Sequence, residues 1–348
     1  MFDISNVDKN FRIETEFQKE DIKFYNADEE PFGIHGVFRE NGKYRRIPES
    51  VAKTVNEGVY VLHTNTAGGR IRFATDSSYV SIHTKMDGLG KMPHFAFTGS
   101  IGFDLYADGV YVSTYRPPMD VEDGFEGIIE FGTNQMREIT INMPLYSNVC
   151  QLYIGLQDSA TVKEAKPYKN TKPVVYYGSS ITQGGCASRP GMGYEAIVSR
   201  RLDCDFVNLG FSGSARAEDE IAEYIKNLDM SLFVYDYDHN SPDVEHLKNT
   251  HEKMFKTIRK AQPNLPVIMM SRPKAMLTDE EQQRRQIVEA TYKNAISAGD
   301  KNVYFIDGTA LTALCGSEGT VDNCHPTDLG FYAMADTLCK VMKNIDLE

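Results

Sequence analysis

The sequence predicts a chain of two unlike halves. An all-β sandwich of jelly-roll type is expected over residues 1–160, a connection over 161–173, and an α/β domain over 174–348. The α/β part is expected to have three layers, α/β/α in the flavodoxin-like manner, with one parallel sheet covered on both faces. Two changes of texture carry this reading. Up to Leu156, short β-branched and aromatic runs alternate apolar and polar residues at period two, with glycine turns between them, as strands with one wet face do. After Pro173, short apolar runs take turns with long helical patterns, which is how right-handed crossovers feed a parallel sheet. A length of 348 residues leaves room for two cores.

In the first half the predicted strands are 58–63, 70–75, 79–84, 103–106, 110–114, 138–143 and 151–156, and Ala107-Asp108-Gly109 reads as a hairpin turn. The connection is polar and carries Lys163, Lys166, Lys169 and Lys172 beside Pro167 and Pro173. In the second half the strands are expected at 174–177, 206–209, 232–235, 267–271 and 303–306. Helices are expected at 194–202, 218–227, 243–261, 279–298 and 327–343, the last capped by Thr327.

Composition narrows the function. Hydrophobic and charged shares of 41% and 25% are those of an ordinary globular protein. A net charge of -12 with no basic cluster argues against nucleic acid and anionic membranes, so the expected substrate is small or neutral. The start, Met1-Phe2-Asp3-Ile4-Ser5-Asn6-Val7-Asp8, has neither the basic residues nor the apolar run of a secretory signal, and no later run is long enough to span a membrane; a cytoplasmic location is expected. The six cysteines are scattered without a Cys-x-x-Cys pair and read as free thiols, and no metal or cofactor is expected. Whether the chain forms a homo-oligomer stays open.

The stretch Val174-Val175-Tyr176-Tyr177-Gly178-Ser179-Ser180-Ile181-Thr182-Gln183-Gly184 is a buried strand that stops at a glycine and runs into small hydroxylated residues. Ser180 would stand at the carboxyl edge of the sheet, on a turn whose amides favour developing negative charge, and is the candidate nucleophile. A serine needs an adjacent base, and the base needs an orienting group. The segment Asp322-Asn323-Cys324-His325-Pro326 offers both, since an Asp three residues ahead of a His can curl back to accept from the imidazole. Donors for an oxyanion are expected from the Ser180 N–H, the Gly213 N–H and the Asn240 side chain, at the ends of the first three strands. All these blocks fall at carboxyl ends of strands, where a doubly wound sheet gathers its sites.

In that order, Gly-Ser-Ser-Ile, Phe-Ser-Gly-Ser, an Asn at the third strand end and Asp-x-x-His-Pro, the chain resembles the SGNH hydrolases, also called GDSL esterases. Gly102-Phe103-Asp104-Leu105-Tyr106 looks like the Gly-x-Asp-Leu-Tyr signature of the β-sandwich that precedes the catalytic domain in the SsfX3-like branch, and Ile141-Asn142-Met143-Pro144-Leu145-Tyr146 also looks like that branch. The resemblance implies Ser180 as nucleophile, His325 as base, Asp322 as its orienting acid, and Gly213 and Asn240 in the oxyanion hole. Ser179 stands where many relatives carry Asp. The third block reads Tyr235-Asp236-Tyr237-Asp238-His239-Asn240 in place of Gly-x-Asn-Asp, which leaves Asp238 and His239 as rivals of Asn240 for the inward position.

Other polar residues have plainer readings. His63 and His83 are expected at a wall or surface, His246 and His251 on a solvated helix face, and Glu280, Glu281, Arg284, Arg285 and Glu289 on another. His94, Arg189 and Arg272 are the candidates for lining the substrate, although each arginine equally suits a role in holding its loop. The expected activity is a serine esterase that removes a small acyl group, acetyl above all, from a carbohydrate or similar polar metabolite. The alternatives are acyl transfer to an alcohol acceptor, or a protein whose sandwich mainly binds carbohydrate.

Overall fold

A computed structural model describes residues 19–347. The first eighteen residues of the expected sandwich, and with them the start of the chain, lie outside the described residues. Two antiparallel sheets form the first half. One runs in the order Ile22–Asn26, Asn148–Gln157, Tyr79–Gly88, Gly124–Glu130. The other runs Val162–Lys163, Arg70–Thr75, Arg137–Asn142, Phe103–Ala107, Val110–Tyr115, with Gly33–His35 also on Arg70–Thr75. Period-two alternation explains the packing: Ile139 and Ile141 point inward from one strand, Phe103 and Leu105 from its neighbour, and Ile82, Leu152 and Ile154 meet them from the facing sheet. Asp108 and Gly109 both take positive φ, 50° and 78°, the geometry of a two-residue hairpin turn.

The second half is a five-stranded parallel sheet in the order Cys204–Gly210, Asn170–Gly178, Leu232–Asp236, Val267–Met270, Val303–Ile306. Numbered along the chain this is 2-1-3-4-5, the flavodoxin-like order. The strand Asn170–Gly178, second in that order, is apolar on both sides towards its carboxyl end. Val174 and Tyr176 pack with the helices Tyr194–Leu202 and Asp328–Met342, while Val175 and Tyr177 pack with Asp219–Ile225, Val244–Ala261 and Asp279–Ser297. A covered sheet therefore has one free edge for chemistry, the carboxyl ends of its strands. Among the described residues no helix is long and apolar enough to cross a membrane.

The structure departs from the sequence reading at several places. Residues 58–62 are helical and His63 is a turn, not a strand: Glu57–Leu62 follows the helix Glu49–Val55, and Asn56 caps it by accepting from the Val59 N–H. Only Val59 of the apolar run is buried, against the second half of the chain, so its alternation was never a sheet face. His63, at that helix end, is buried. Thr327 stands at the start of the last helix, but its hydroxyl donates to the Gly319 carbonyl at 3.1 Å and caps nothing. His251 is not on a solvated face; it is buried, stacked on Tyr235 with ring centres 4.4 Å apart, and bonded through Nδ1 to Thr291 Oγ1 at 2.9 Å. Glu281 and Arg284 also turn inward, because Arg272 and Asp238 offer them buried partners.

Candidate active site

Ser180 opens the short helix Ser180–Gln183, which starts directly off the strand Asn170–Gly178. Ser179 caps that helix, its Oγ accepting from the Ile181 N–H at 3.2 Å. The helix lies so close to the sheet that side chains are excluded beneath it: a Cβ on Gly178 would sit 2.1 Å from Thr182 Oγ1, and one on Gly210 would sit 2.2 Å from the Gln183 nitrogen. Here glycine is needed for close approach.

The loop before the last helix carries the other two groups. It is pinned by the Val321 N–H on the His325 carbonyl, at 2.9 Å, and the Thr327 N–H on the Gly319 carbonyl, at 2.8 Å. Ser180 Oγ lies 2.9 Å from His325 Nε2, and His325 Nδ1 lies 2.8 Å from Asp322 Oδ2. The other Asp322 oxygen accepts from the Cys324 and His325 N–H groups at 3.0 and 2.7 Å. Burial raises the Asp322 pKa, but the bonds from the His325 ring and backbone outweigh it and hold the carboxyl below its ordinary value. A carboxylate so held fixes which imidazole nitrogen carries the proton and leaves Nε2 to face the serine.

Three donor groups were expected for an oxyanion. Gly213 sits at φ +65° on the loop after the second strand, with open space where a Cβ would be. Among the described residues neither its N–H nor that of Ser180 has an acceptor. Asn240 ends the turn Asp238–Asn240 and donates through Nδ2 to the Phe211 carbonyl at 2.7 Å, which brings its amide to the same loop. Of its rivals, Asp238 is engaged, whereas His239 is a neutral ring whose Nε2 is buried without a partner among the described residues. Asp238 is ion-paired to Arg272 at 3.2 Å and Arg284 at 3.7 Å. His239 is pushed down to about 3, by burial first and the nearby Arg272 charge second, and so stays neutral.

Of the substrate-lining candidates, the structure brings His94 to the site, its ring centre 5.8 Å from that of His325. Arg272 is instead spent on Asp238 and on Glu281, at 3.1 Å. Arg189 reaches back to the sandwich and binds Asp104 at 2.9 Å and the Tyr106 hydroxyl at 2.5 Å.

Several supports were not among the predicted site residues, although Tyr146 lies in the segment 141–146 that carried the resemblance. Gln183 accepts from the Ser212 N–H at 3.0 Å and donates to Asn65 at 3.1 Å and the Leu145 carbonyl at 3.2 Å, tying the Ser180 helix to the Gly213 loop and to the sandwich. Tyr146 donates its hydroxyl to the Ser180 carbonyl at 3.1 Å. Asn56 donates to the Ser214 carbonyl at 2.9 Å. Arg46 is wholly buried and donates to the carbonyls of Leu62 (2.7 Å), Asn65 (2.9 Å), Asn208 (3.3 Å) and Gly210.

Comparison with known proteins agrees with this architecture. Residues 171–343 match the model of the GDSL-like lipase/acylhydrolase family, and residues 22–162 match the Gly-x-Asp-Leu-Tyr model for the N-terminus of esterases of SGNH-hydrolase type. The chain belongs to the GDSL-like lipase/acylhydrolase family. A protein described as a GDSL-like lipase from Bacteroides ovatus ATCC 8483 shares this family member's fold at TM-score 0.82 and 27% identity, over 93% of this chain and 97% of its own. The salicylyl-acyltransferase SsfX3 from a tetracycline biosynthetic pathway superposes at TM-score 0.77 and 18% identity, over 94% and 98%. A family two carbohydrate esterase from Cellvibrio japonicus follows at 0.62 and 11%, over 93% and 97%. At such identities the last two speak to the fold of this GDSL-like hydrolase alone. No curated protein matches it by sequence.

Proposed function

We propose that this GDSL-like hydrolase is a serine esterase that removes small acyl groups, acetyl foremost, from hydroxyls of a carbohydrate or similar polar metabolite. The carrying observation is the line from Ser180 Oγ to His325 Nε2, 2.9 Å, and from His325 Nδ1 to Asp322, 2.8 Å, beside two amides with no acceptor. His325 Nε2 takes the proton as Ser180 Oγ attacks the ester carbon. The oxyanion is met by the Ser180 and Gly213 N–H groups and the Asn240 amide, and the alcohol leaves with the proton from His325. Water then repeats the sequence on the acyl-enzyme, with the same imidazole as base, and the free acid departs. Asp322 stays ionised and stabilises the imidazolium. The polar-ester reading draws support from structural neighbours named as carbohydrate esterases and as an acetyl xylan esterase, which share both halves of the fold.

The test is acid release from p-nitrophenyl esters of rising acyl length and from acetylated sugars, by the wild type and by Ser180→Ala. Acetyl esters should be preferred, and the variant should lose activity by on the order of 10⁴-fold or more. Activity surviving in Ser180→Ala overturns the mechanism, and acyl appearing on an added alcohol faster than free acid would assign transfer instead.

A further inference from the structure

Three donor side chains from separate parts of the chain meet beside Ser180. One ligand atom each of His94, Cys186 and His325 all lie within 4.8 Å of one another. His94 comes from a loop of the sandwich and is exposed, while Cys186 follows the Ser180 helix by three residues and is buried. Cys186 is a free thiol, its N–H set on the Pro326 carbonyl at 3.4 Å, next door to His325. Ester hydrolysis gives that thiol no task. Two imidazoles and a thiol make a donor set for a borderline-soft divalent ion such as zinc, and the absence of a carboxylate from the trio disfavours magnesium or calcium. Tetrahedral zinc holds nitrogen at about 2.1 Å and sulfur at about 2.3 Å, so its donors stand roughly 3.5 Å apart. Closing from the present separations takes movement on the order of 1 Å, which the exposed His94 side chain can supply.

We propose that a zinc-class divalent ion binds His94, Cys186 and His325 and reversibly shuts the enzyme off. Asp322 occupies His325 Nδ1, so the nitrogen left to bind metal is Nε2, the one that faces Ser180 Oγ. On binding, five of the six waters of the aqueous ion leave, the Cys186 thiol gives its proton to solvent, and two metal–nitrogen bonds and one metal–sulfur bond form, with the remaining water keeping the fourth place. A nitrogen whose lone pair is on the metal accepts no proton from serine. The inhibition rests on the proposed role of His325 as base, whereas the binding does not.

The experiment titrates zinc chloride into the full chain bearing Ser180→Ala, which keeps every ligand, and follows binding by calorimetry. One saturable site is expected. Adding His94→Ala, an exposed change that leaves the core alone, or Cys186→Ser should weaken it at least roughly tenfold. Cys315→Ser, outside the cluster, should leave affinity unchanged. In parallel, zinc should abolish ester hydrolysis by the wild type and a chelator should restore it. His94→Ala and Cys186→Ser, made in the chain that keeps Ser180 and each compared with its own metal-free rate, should need at least roughly tenfold more zinc for the same inhibition. No saturable binding, or equal affinity in His94→Ala and Cys186→Ser, overturns the proposal. A chain without esterase activity would overturn the functional reading and leave the calorimetry to decide the metal site.

Discussion

Arg189 lies 2.9 Å from the carboxylate of Asp104, which is fully buried at the junction of the two halves. The same carboxylate accepts from the Gly191 N–H at 2.8 Å and from Asn142 at 2.7 Å. The Asp of Gly-x-Asp-Leu-Tyr is thus a latch on the loop between the Ser180 helix and the next one, and Tyr106 adds its ring under Arg189 and Arg200. Asp104→Ala should lower stability by about 3 kcal/mol in urea unfolding, since it strands a mostly buried guanidinium. It should also weaken catalysis by loosening that loop. A variant as stable as the wild type would show that the latch does not hold.

Arg46 should matter more to rate than its distance from the reacting atoms implies. Its guanidinium meets carbonyls and the Phe211 ring, 4.5 Å away, so it fixes the strand end that leads into Gly213. Arg46→Met leaves several buried carbonyls without donors, at about 1 kcal/mol each. The expected result is a kcat loss larger than any change in KM. Arg46→Lys should rescue little, because a point donor cannot fork across several acceptors. Full rescue by lysine would reduce the role to charge alone.

Asn240→Ala tests the assignment of the third oxyanion donor. Loss of one such donor costs about 10²- to 10³-fold in kcat. His239→Gln should cost far less, since the neutral ring is not among the donors assigned to the oxyanion. The reverse ranking in steady-state kinetics would move the donor to His239.

What the sequence could and could not disclose follows from the kind of interaction. The parallel sheet and its helices were readable because apolar runs buried on both sides, and helices with one apolar face, leave strong periodic patterns. The meeting of Ser180, Asp322 and His325 was readable because they sit at strand and loop ends bounded by Gly178 and Pro326. The Arg46 and Gln183 networks were not, since their partners are mostly backbone carbonyls and amides, which every residue has. Glu281, Arg284 and His251 misled for a related reason: charged and polar residues usually face water, and only tertiary partners such as Asp238, Arg272 and Thr291 show that these do not.

Asp322, the orienting acid of the proposed mechanism, is not enclosed: 38% of its side chain is accessible. Water can therefore take over part of its work. Asp322→Asn should lower kcat by on the order of 10³-fold, less than Ser180→Ala. Equal losses for the two variants would mean that Asp322 is as indispensable as Ser180.

The last prediction concerns pH and stability. Asp236 lies under the Ser180 helix, one oxygen near Thr182 Oγ1 at 3.3 Å and the Tyr194 hydroxyl at 3.4 Å, the other without a partner. Glu195 is buried beside Tyr194 with Oε1 unpartnered. Burial above all, and then neighbouring carboxylates, push both pKa values well up, so the folded protein keeps both protons where the unfolded chain has lost them. Unfolded Asp and Glu ionise near about 4. Below that pH the contribution of these groups is complete; as pH rises toward the folded values the folded state binds more protons than the unfolded one, and stability falls. The slope is up to about 1.4 kcal/mol per pH unit for each group. Urea midpoints of the wild type should therefore fall as pH rises above roughly 5, relative to an Asp236→Asn, Glu195→Gln double variant, whose amides do not titrate. A wild-type-to-variant difference that stays constant over that rise would mean that both carboxyls are ionised, or that neither is as buried as its surroundings indicate.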